Sequence, residues 1–410
     1  MKIPYTITST VALLAAVLFL SSSRPVVQDP DLRNLQEVIT TLTHPQFEGR
    51  KAGSVHDSVL AVYLADILSD YGFEPFFEEG ALHKFRFRNM DSWNVIMVYK
   101  GEETDGTLML GAHYDHLGMG GRGSGSLRAD TVAIHPGADD NASGVAAAIE
   151  TARLLSDRAR ENPLKKDIVF AAFGAEEVGT IGSGFLADTL KKIGRLPSLM
   201  INLDMVGRLK DSVLQVSGTG TFEGADSLIR SHLDNATPFI LKTSADGHGP
   251  SDHSRFYREE VPVLFITTGP HTDYHTPFDT PDKINYEGLA HIVRYTTTIA
   301  GAVAFDGFEP VYAEAYQTEP RREQVAFKVS LGVIPDFIHE GEGLCAGTVI
   351  KGRPGHKAGM ENGDIVLQIN DKPIPNIDVY MEALGELSPG EIIWVTVKRK
   401  DRILELEVQL

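Results

Sequence analysis

Four mostly apolar runs, at residues 107–112, 168–173, 199–203 and 263–266, are each followed by side chains that bind metals or move protons. The first runs into His113, Tyr114 and Asp115, the second into Glu176 and Glu177, the third into Asp204, and the fourth into a loop carrying His275. Short apolar runs of this kind read as buried strands. Between the first two, residues 137–144 place Asp139 and Asp140 ahead of Val145, Ala148, Ile149, Ala152 and Leu155, which have the spacing of a helix face. Helical spacing also predicts helices over 31–42 and 54–71, packed on the sheet. Residues 93–99 read as a strand that Gly101 turns toward the one ending at His113. The alternation continues to about Phe305 and predicts an α/β fold, a mostly parallel sheet with helices on both faces. In such sheets the ligand crevice lies beyond the carboxyl ends of the strands. One crevice would therefore collect all of these side chains, with the glycine-rich stretch 118–125 as its flexible rim.

Past residue 306 the texture changes. Residues 307–324 read as a linker, and 325–410 as a small β-rich domain, with strand-like alternation at 325–329, 392–397 and 404–410 and one short helix over 376–387. Ser330, Leu331, Gly332 and Val333, residues 355–359 and residues 362–370 resemble the carboxylate loop, the alanine-glycine turn and the central strand of a bacterial PDZ domain. That resemblance implies capture of C-terminal peptide segments at a groove walled by the helix near Tyr380.

Composition narrows the function. A formal net charge of -18 argues against a nucleic-acid or anionic-membrane partner, since either would repel an acidic surface. The single cysteine, Cys345, excludes intramolecular disulfides and cysteine-rich zinc modules. At the start, Lys2, the apolar run 11–20 and Ser21–Ser23 have the layout of a secretory signal peptide over 1–23. The apolar run falls short of the roughly 20 residues that span a bilayer. The expectation is export to the bacterial periplasm or beyond, with no stable membrane insertion after cleavage.

The candidate chemistry is metal binding, because buried carboxylates are costly unless paired or bound to a cation. Three carboxylates and two neutral imidazoles carry one excess negative charge with one divalent ion and one excess positive charge with two, a surplus that a hydroxide would neutralise. Nitrogen and oxygen donors without thiolate fit zinc, with Co2+ or Mn2+ as substitutes. Adjacent Glu176 and Glu177 point different ways, so one can bind metal while the other serves as general base. No Gly-x-Ser-x-Gly elbow and no His-Glu-x-x-His helix occurs.

Taken together, His-x-Asp at 113–115, Asp-Asn-Ala-Ser-Gly at 140–144, Glu176-Glu177, Asn-Leu-Asp-Met at 202–205 and Tyr-His-Thr-Pro at 274–277 resemble the di-zinc aminopeptidases of metallopeptidase family 28, over residues 31–306. The resemblance implies two Zn2+ per chain. It implies that Asp140 bridges them, that His113 and Asp204 complete one site and that Glu177 and His275 complete the other. Glu176 would be the general base and acid, Asp115 would orient His113 by accepting its second ring proton, and Tyr274 would steady the oxyanion. Asp139 would stand outside the ligand set, and Asp252 would contact substrate or support the site. His116, His135, His253 and His271 receive no role. The function expected is an exported aminopeptidase acting on peptides. A glutaminyl cyclase-like acyltransferase and a carboxypeptidase of the same family are the alternatives.

Overall fold

The computed structural model describes residues 29–410 apart from 129, 234–238, 316–328, 337, 338, 340 and 376. The expected signal peptide and the start of the strand expected at 325–329 lie outside the described residues. The larger unit is built on a sheet of strands β1 (Glu74–Pro75), β2 (Leu82–Phe87), β3 (Met90–Tyr99), β4 (Thr107–His113), β5 (Asp167–Phe173), β6 (Leu199–Leu203), β7 (Val213–Ser217), β8 (Ile240–Ser244) and β9 (Val263–Thr267). Their order is β1-β3-β5-β4-β6-β9-β7-β8, with β2 beside β3. The centre, β5-β4-β6-β9, is parallel, while β3 and β7 join it antiparallel on either side.

Alternation along the strands divides the core in two. Leu108 and Leu110 of β4 and Ile168, Phe170 and Ala172 of β5 face one layer, and Met109, Val169, Ala171 and Phe173 face the other. The first layer is covered by helices α1 (Leu32–Leu42), α2 (Val55–Asp70), α3 (Gly144–Ala159), α5 (Ala225–Ser231) and α7 (Tyr286–Ala304). The second is covered by α4 (Ile181–Lys192) and α6 (His253–Tyr257). Each fully buried Leu or Phe contributes about 1.5–3 kcal/mol, which is why continuous apolar runs occupy the central strands. In α2 only one stripe is covered: Leu60, Leu64 and Leu68 are buried, while Val59 and Val62 are exposed.

Two expectations change. The strand 93–99 lies beside β5, not beside the strand ending at His113. Asp167, at the start of β5, accepts the Gly101 N–H at 3.0 Å and the Thr104 hydroxyl at 2.8 Å, so the turn is seated on the intervening strand. The expected linker 307–324 begins as part of the larger body. The Glu223 N–H donates to Val311 O, Ala313 donates to Thr221 O, Ala315 donates to the Tyr257 hydroxyl, and Ala315 itself is buried. Apolar Phe308, Tyr312 and Ala315 supply the reason, since they cover core residues.

The C-terminal unit contains β10 (Val333–Pro335), β11 (Leu344–Val349), α8 (Pro354–Lys357), β12 (Ile365–Ile369), β13 (Lys372–Pro373), α9 (Ile377–Glu386), β14 (Ile392–Arg399) and β15 (Arg402–Gln409). Its strands run β10-β11-β12-β14-β15 around a core of Leu331, Val366, Tyr380, Leu384 and Val395. At the expected carboxylate loop the Gly332 N–H donates to Ser330 Oγ at 3.0 Å, and Leu331 O and Gly332 O accept from Gly355 and Ile350. Gly332 has φ 72°, and a Cβ there would stand 2.1 Å from Arg353 Cβ, so only glycine fits. No helix among the described residues is long and apolar enough to cross a membrane.

Candidate metal centre

Four adjacent parallel strands deliver the chemistry at their carboxyl ends. His113 ends β4, Glu176 and Glu177 follow β5, Asp204 follows β6 directly, and His275 lies on the loop after β9. Asp140 comes from residues 138–143, which lead into α3. The Asn141 side chain explains that loop's sequence: its oxygen accepts from Gly144 and Met205, and its amide donates to Leu203 O at 3.0 Å. The loop is thereby tied to the end of β6. Ala175, Met205 and His275 all have φ between 53° and 57°, left-handed conformations that non-glycine residues seldom hold and that collect at functional sites.

The ligand-type atoms converge on two points. His113 Nε2 lies 3.3 Å from Asp140 Oδ1 and 3.5 Å from Asp204 Oδ1. His275 Nε2 lies 3.1 Å from Asp140 Oδ2 and 3.0 Å from Glu177 Oε2. The two oxygens of Asp140 thus face different histidines, as a bridging carboxylate requires. Asp140 Oδ2 makes no aligned hydrogen bond despite its closeness to His275, which is how two donors aimed at a common third point are arranged. Glu176 is set back from this array, with Oε2 4.0 Å from His113 Nε2. Among the described residues two groups bring three ligand-type atoms together, His113 with Asp140 and Asp204, and His116 with Asp140 and Glu177, and His275 Nε2 also lies against the last two carboxylates.

Charge makes the same demand. Burial disfavours the imidazolium forms, yet Asp204, Glu176 and Asp140 raise His113 well above the usual histidine range, and Glu177 and Asp140 do the same for His275. Burial likewise opposes ionisation of Glu177, but His275 and His116 pull it down to about 2. Glu176 moves the other way. Burial, with Asp252, Glu177 and Asp204 nearby, pushes it well above the carboxylate range against the pull of His113. Asp252, fully buried, is pushed up to about 7 by burial and Asp204, offset by His113, Ser183 and Arg255. Its neighbour His253 stacks on Phe265 with ring centroids 4.4 Å apart.

One expected role is corrected. The Asp115 carboxylate does not accept the His113 ring proton, because its Oδ1 is 3.9 Å from Nδ1. The Asp115 backbone carbonyl sits at 3.2 Å from that nitrogen instead, and Oδ1 accepts the Glu176 N–H at 2.9 Å. Asp115 lies past the end of β4, where the Glu176 N–H draws its carboxylate toward the loop after β5, so Asp115 steadies Glu176. Tyr274 stacks on His275 with centroids 3.8 Å apart, and burial with Asp140 and Glu177 nearby holds its hydroxyl protonated well above the usual tyrosine range. Asp139 is no ligand: its Oδ1 accepts from Gly207 and Ser143, and its Oδ2 faces His271 Nε2 at 3.1 Å.

Several contributors escaped the sequence reading. Asp279 Oδ2 accepts the N–H groups of Asp139 and Asp140 at 2.8 and 3.0 Å, while Arg208 reaches its other oxygen. His116 Nδ1 lies 2.6 Å from Glu177 Oε1. The glycine-rich rim does more than line the opening, since Gly125 O stands 3.1 Å from His275 Nδ1 and Leu127 donates to His275 O.

Residues 94–300, half of the chain, match peptidase family M28. The chain belongs to that family. Residues 329–410 of this M28 protein match a PDZ domain. The Bacillus subtilis (strain 168) aminopeptidase YwaD is 30% identical over 234 residues, a match that covers 52% of this chain and 45% of YwaD. The fold is that of a zinc aminopeptidase from Bacillus subtilis, with TM-score 0.55 at 18% identity over 71% of this chain and 100% of the other. A glutaminyl cyclase from Porphyromonas gingivalis shares it equally, with TM-score 0.54 at 19% identity over 66% and 98%. The M28 fold is therefore common to hydrolysis and cyclisation, and the choice between them rests on the site.

Proposed function

We propose that the chain is an exported di-zinc aminopeptidase that removes N-terminal residues from peptides. The observation that carries this reading is the pair of ligand clusters sharing Asp140. The donor set fits zinc: imidazole nitrogens and carboxylate oxygens without thiolate, with the buried Asp115 Oδ2 and His116 Nε2 left without a hydrogen-bond partner beside it. His113, Asp140 and Asp204 would hold one ion, and His275, Asp140 and Glu177 the other. Such ions supply Lewis acidity and bring the ionisation of water toward neutral pH.

The chain's own groups do the rest. Glu176 takes the proton of the attacking water and hands it to the leaving amine, a task suited to a carboxyl raised toward neutrality. Asp115 holds the Glu176 backbone in register. Tyr274 keeps its proton and donates it as a hydrogen bond to the developing oxyanion. Metal analysis of purified protein alongside Asp140→Ala tests the bridge. Two equivalents in the wild type and loss of both metal and peptide hydrolysis in the variant are expected, whereas a single equivalent or chelator-resistant activity would sink the proposal. YwaD, an aminopeptidase by name, favours hydrolysis. A peptide with N-terminal glutamine separates cyclisation from hydrolysis, because cyclisation loses ammonia while hydrolysis gains water. An N-acetylated substrate separates carboxypeptidase action, since blocking the amine abolishes only aminopeptidase turnover.

Export through cleavage of residues 1–23 is tested by N-terminal sequencing of protein recovered outside the cytoplasm. For the PDZ unit, β10 ends its strand order and fits addition of a peptide strand with its carboxylate at 330–333. Truncation at residue 323 should slow long peptides and leave short ones unchanged. Equal kinetics on both would remove the groove from substrate capture.

A further inference from the structure

Arg50 is among the largest side chains fully enclosed by the protein, and no part of the proposed reaction uses it. A buried guanidinium is costly unless its N–H groups and charge are both matched. Its Nε donates to Tyr114 O at 2.8 Å. Nη1 donates to Leu42 O at 3.1 Å and Pro136 O at 2.5 Å, and Nη2 donates to Gly137 O at 2.9 Å. These acceptors lie on three separate stretches. Leu42 ends α1, Tyr114 stands between His113 and Asp115, and Pro136 and Gly137 lead directly into Asp139 and Asp140.

The backbone around Arg50 is woven into the same stretches. Arg50 O accepts the His116 N–H at 3.0 Å, and Gly49 O accepts from Gly118 at 2.9 Å. A Cβ on Gly49 would stand 2.4 Å from Gly118 O, so the strands of chain are in contact there. Arg50 itself has φ 53°, a left-handed conformation that glycine or asparagine would hold more easily. Arginine at such a position points to work done by the side chain. Burial lowers its pKa to about 10, with Asp140, Asp115, Asp279 and Glu177 opposing the change, so the group stays charged at neutral pH. Being fully buried, it cannot touch substrate.

We infer that Arg50 is a positioning residue for the metal centre, a buried fork that locks the backbone carrying His113 to the backbone carrying Asp140 while supplying fixed positive charge beneath the carboxylates. This rests on the metal-centre reading above. A planar fork with fixed N–H directions suits carbonyls arriving from three directions, and a lysine ammonium on a flexible stem does not.

The test uses the full chain and zinc titration by calorimetry, with peptide hydrolysis alongside. The wild type should bind two equivalents; if it binds none, the metal reading itself fails and Arg50 is not at issue. Arg50→Met should weaken zinc binding by about 10- to 100-fold, the range seen when residues supporting metal ligands are removed. Its kcat should fall with little change in KM. Arg50→Lys, which keeps the charge and loses the fork, should lie between. Leu190→Ala, a cavity in the core under α4, serves as the control for lost stability. A folded Arg50→Met that binds both equivalents at wild-type affinity overturns the inference, as does a Leu190→Ala that loses zinc equally. Should Arg50→Met not fold, Arg50→Lys decides: wild-type zinc affinity there refutes the fork, and weakened affinity supports it.

Discussion

Asp364 and Asp140 are both buried carboxylates, in the PDZ unit and the M28 domain respectively, and their surroundings are opposite. Asp364 accepts Arg399 Nε and Nη2 at 2.7 Å each and the Glu361 N–H at 2.9 Å, so its charge is closed within its own domain. Near Asp140 stand Asp115, Glu176, Glu177, Asp204 and Asp279, with the imidazoles of His113, His116 and His275 facing it and Arg50 and Arg208 as the nearby guanidiniums. A carboxylate matched by a bidentate guanidinium is a structural brace. A crowd of carboxylates that outnumbers its guanidiniums and faces imidazoles calls for charge from outside, which is the difference between a fold's fastening and a candidate metal site.

The contrast can be broken at either end. The largest effect is expected for Glu176→Gln, which should lower kcat by about 10²- to 10⁴-fold while leaving zinc content unchanged, as measured by initial rates and elemental analysis. Lost zinc would place Glu176 among the ligands. Next, Asp364→Asn takes away the carboxylate that Arg399 grips at two points, leaving it Glu361 and Gly359 O, and should destabilise the PDZ unit by about 2 kcal/mol in denaturant unfolding, with hydrolysis of short peptides untouched. Asp115→Ala should cost about 10- to 100-fold in kcat by loosening Glu176, and zinc content again separates that from ligand loss.

The smallest effect concerns a half-buried titratable group with neither arrangement. His83 lies between Phe77 and Phe185, with centroids 4.8 and 4.9 Å away, and burial lowers its pKa from 6.5 to about 4. The neutral ring is favoured by the folded state, so its contribution is present above pH 6.5 and is lost as pH falls from 6.5 through 4. Discounted for partial exposure, the loss should be about 1 kcal/mol, and His83→Phe should flatten that segment of the stability profile.

The sequence made the M28 site legible because strand ends are easy to find: an apolar run stops and a polar side chain must face the crevice. Four metal-type positions and Glu176 were readable for that reason, while Asp140 came from the acidic pair ahead of a helix and from the family resemblance. Arg50 and Asp279 were not, because each acts on backbone groups distant in the chain, and a lone arginine or aspartate carries no periodicity. The Asp115 role failed because β4 ends at His113, and past the strand end the carboxylate is claimed by the Glu176 N–H. The place of β3 failed because adjacency in sequence does not fix pairing when a third strand can insert. In the PDZ unit the alternation of β14 and β15 carried the reading, and the residues between 316 and 328 lie outside the described chain.

Held by the rim loop on one side and by the sheet on the other, the two proposed ion positions would differ. Gly125 O and the Leu127 N–H, both on or beside the rim, hold His275 together with the stacked Tyr274, whereas His113 is rooted in a central strand. One ion would therefore answer to the scaffold and the other to the doorway. Lengthening residues 118–125 with extra glycine should let zinc escape from the Glu177 side at a faster rate, while the Asp204 side keeps its grip.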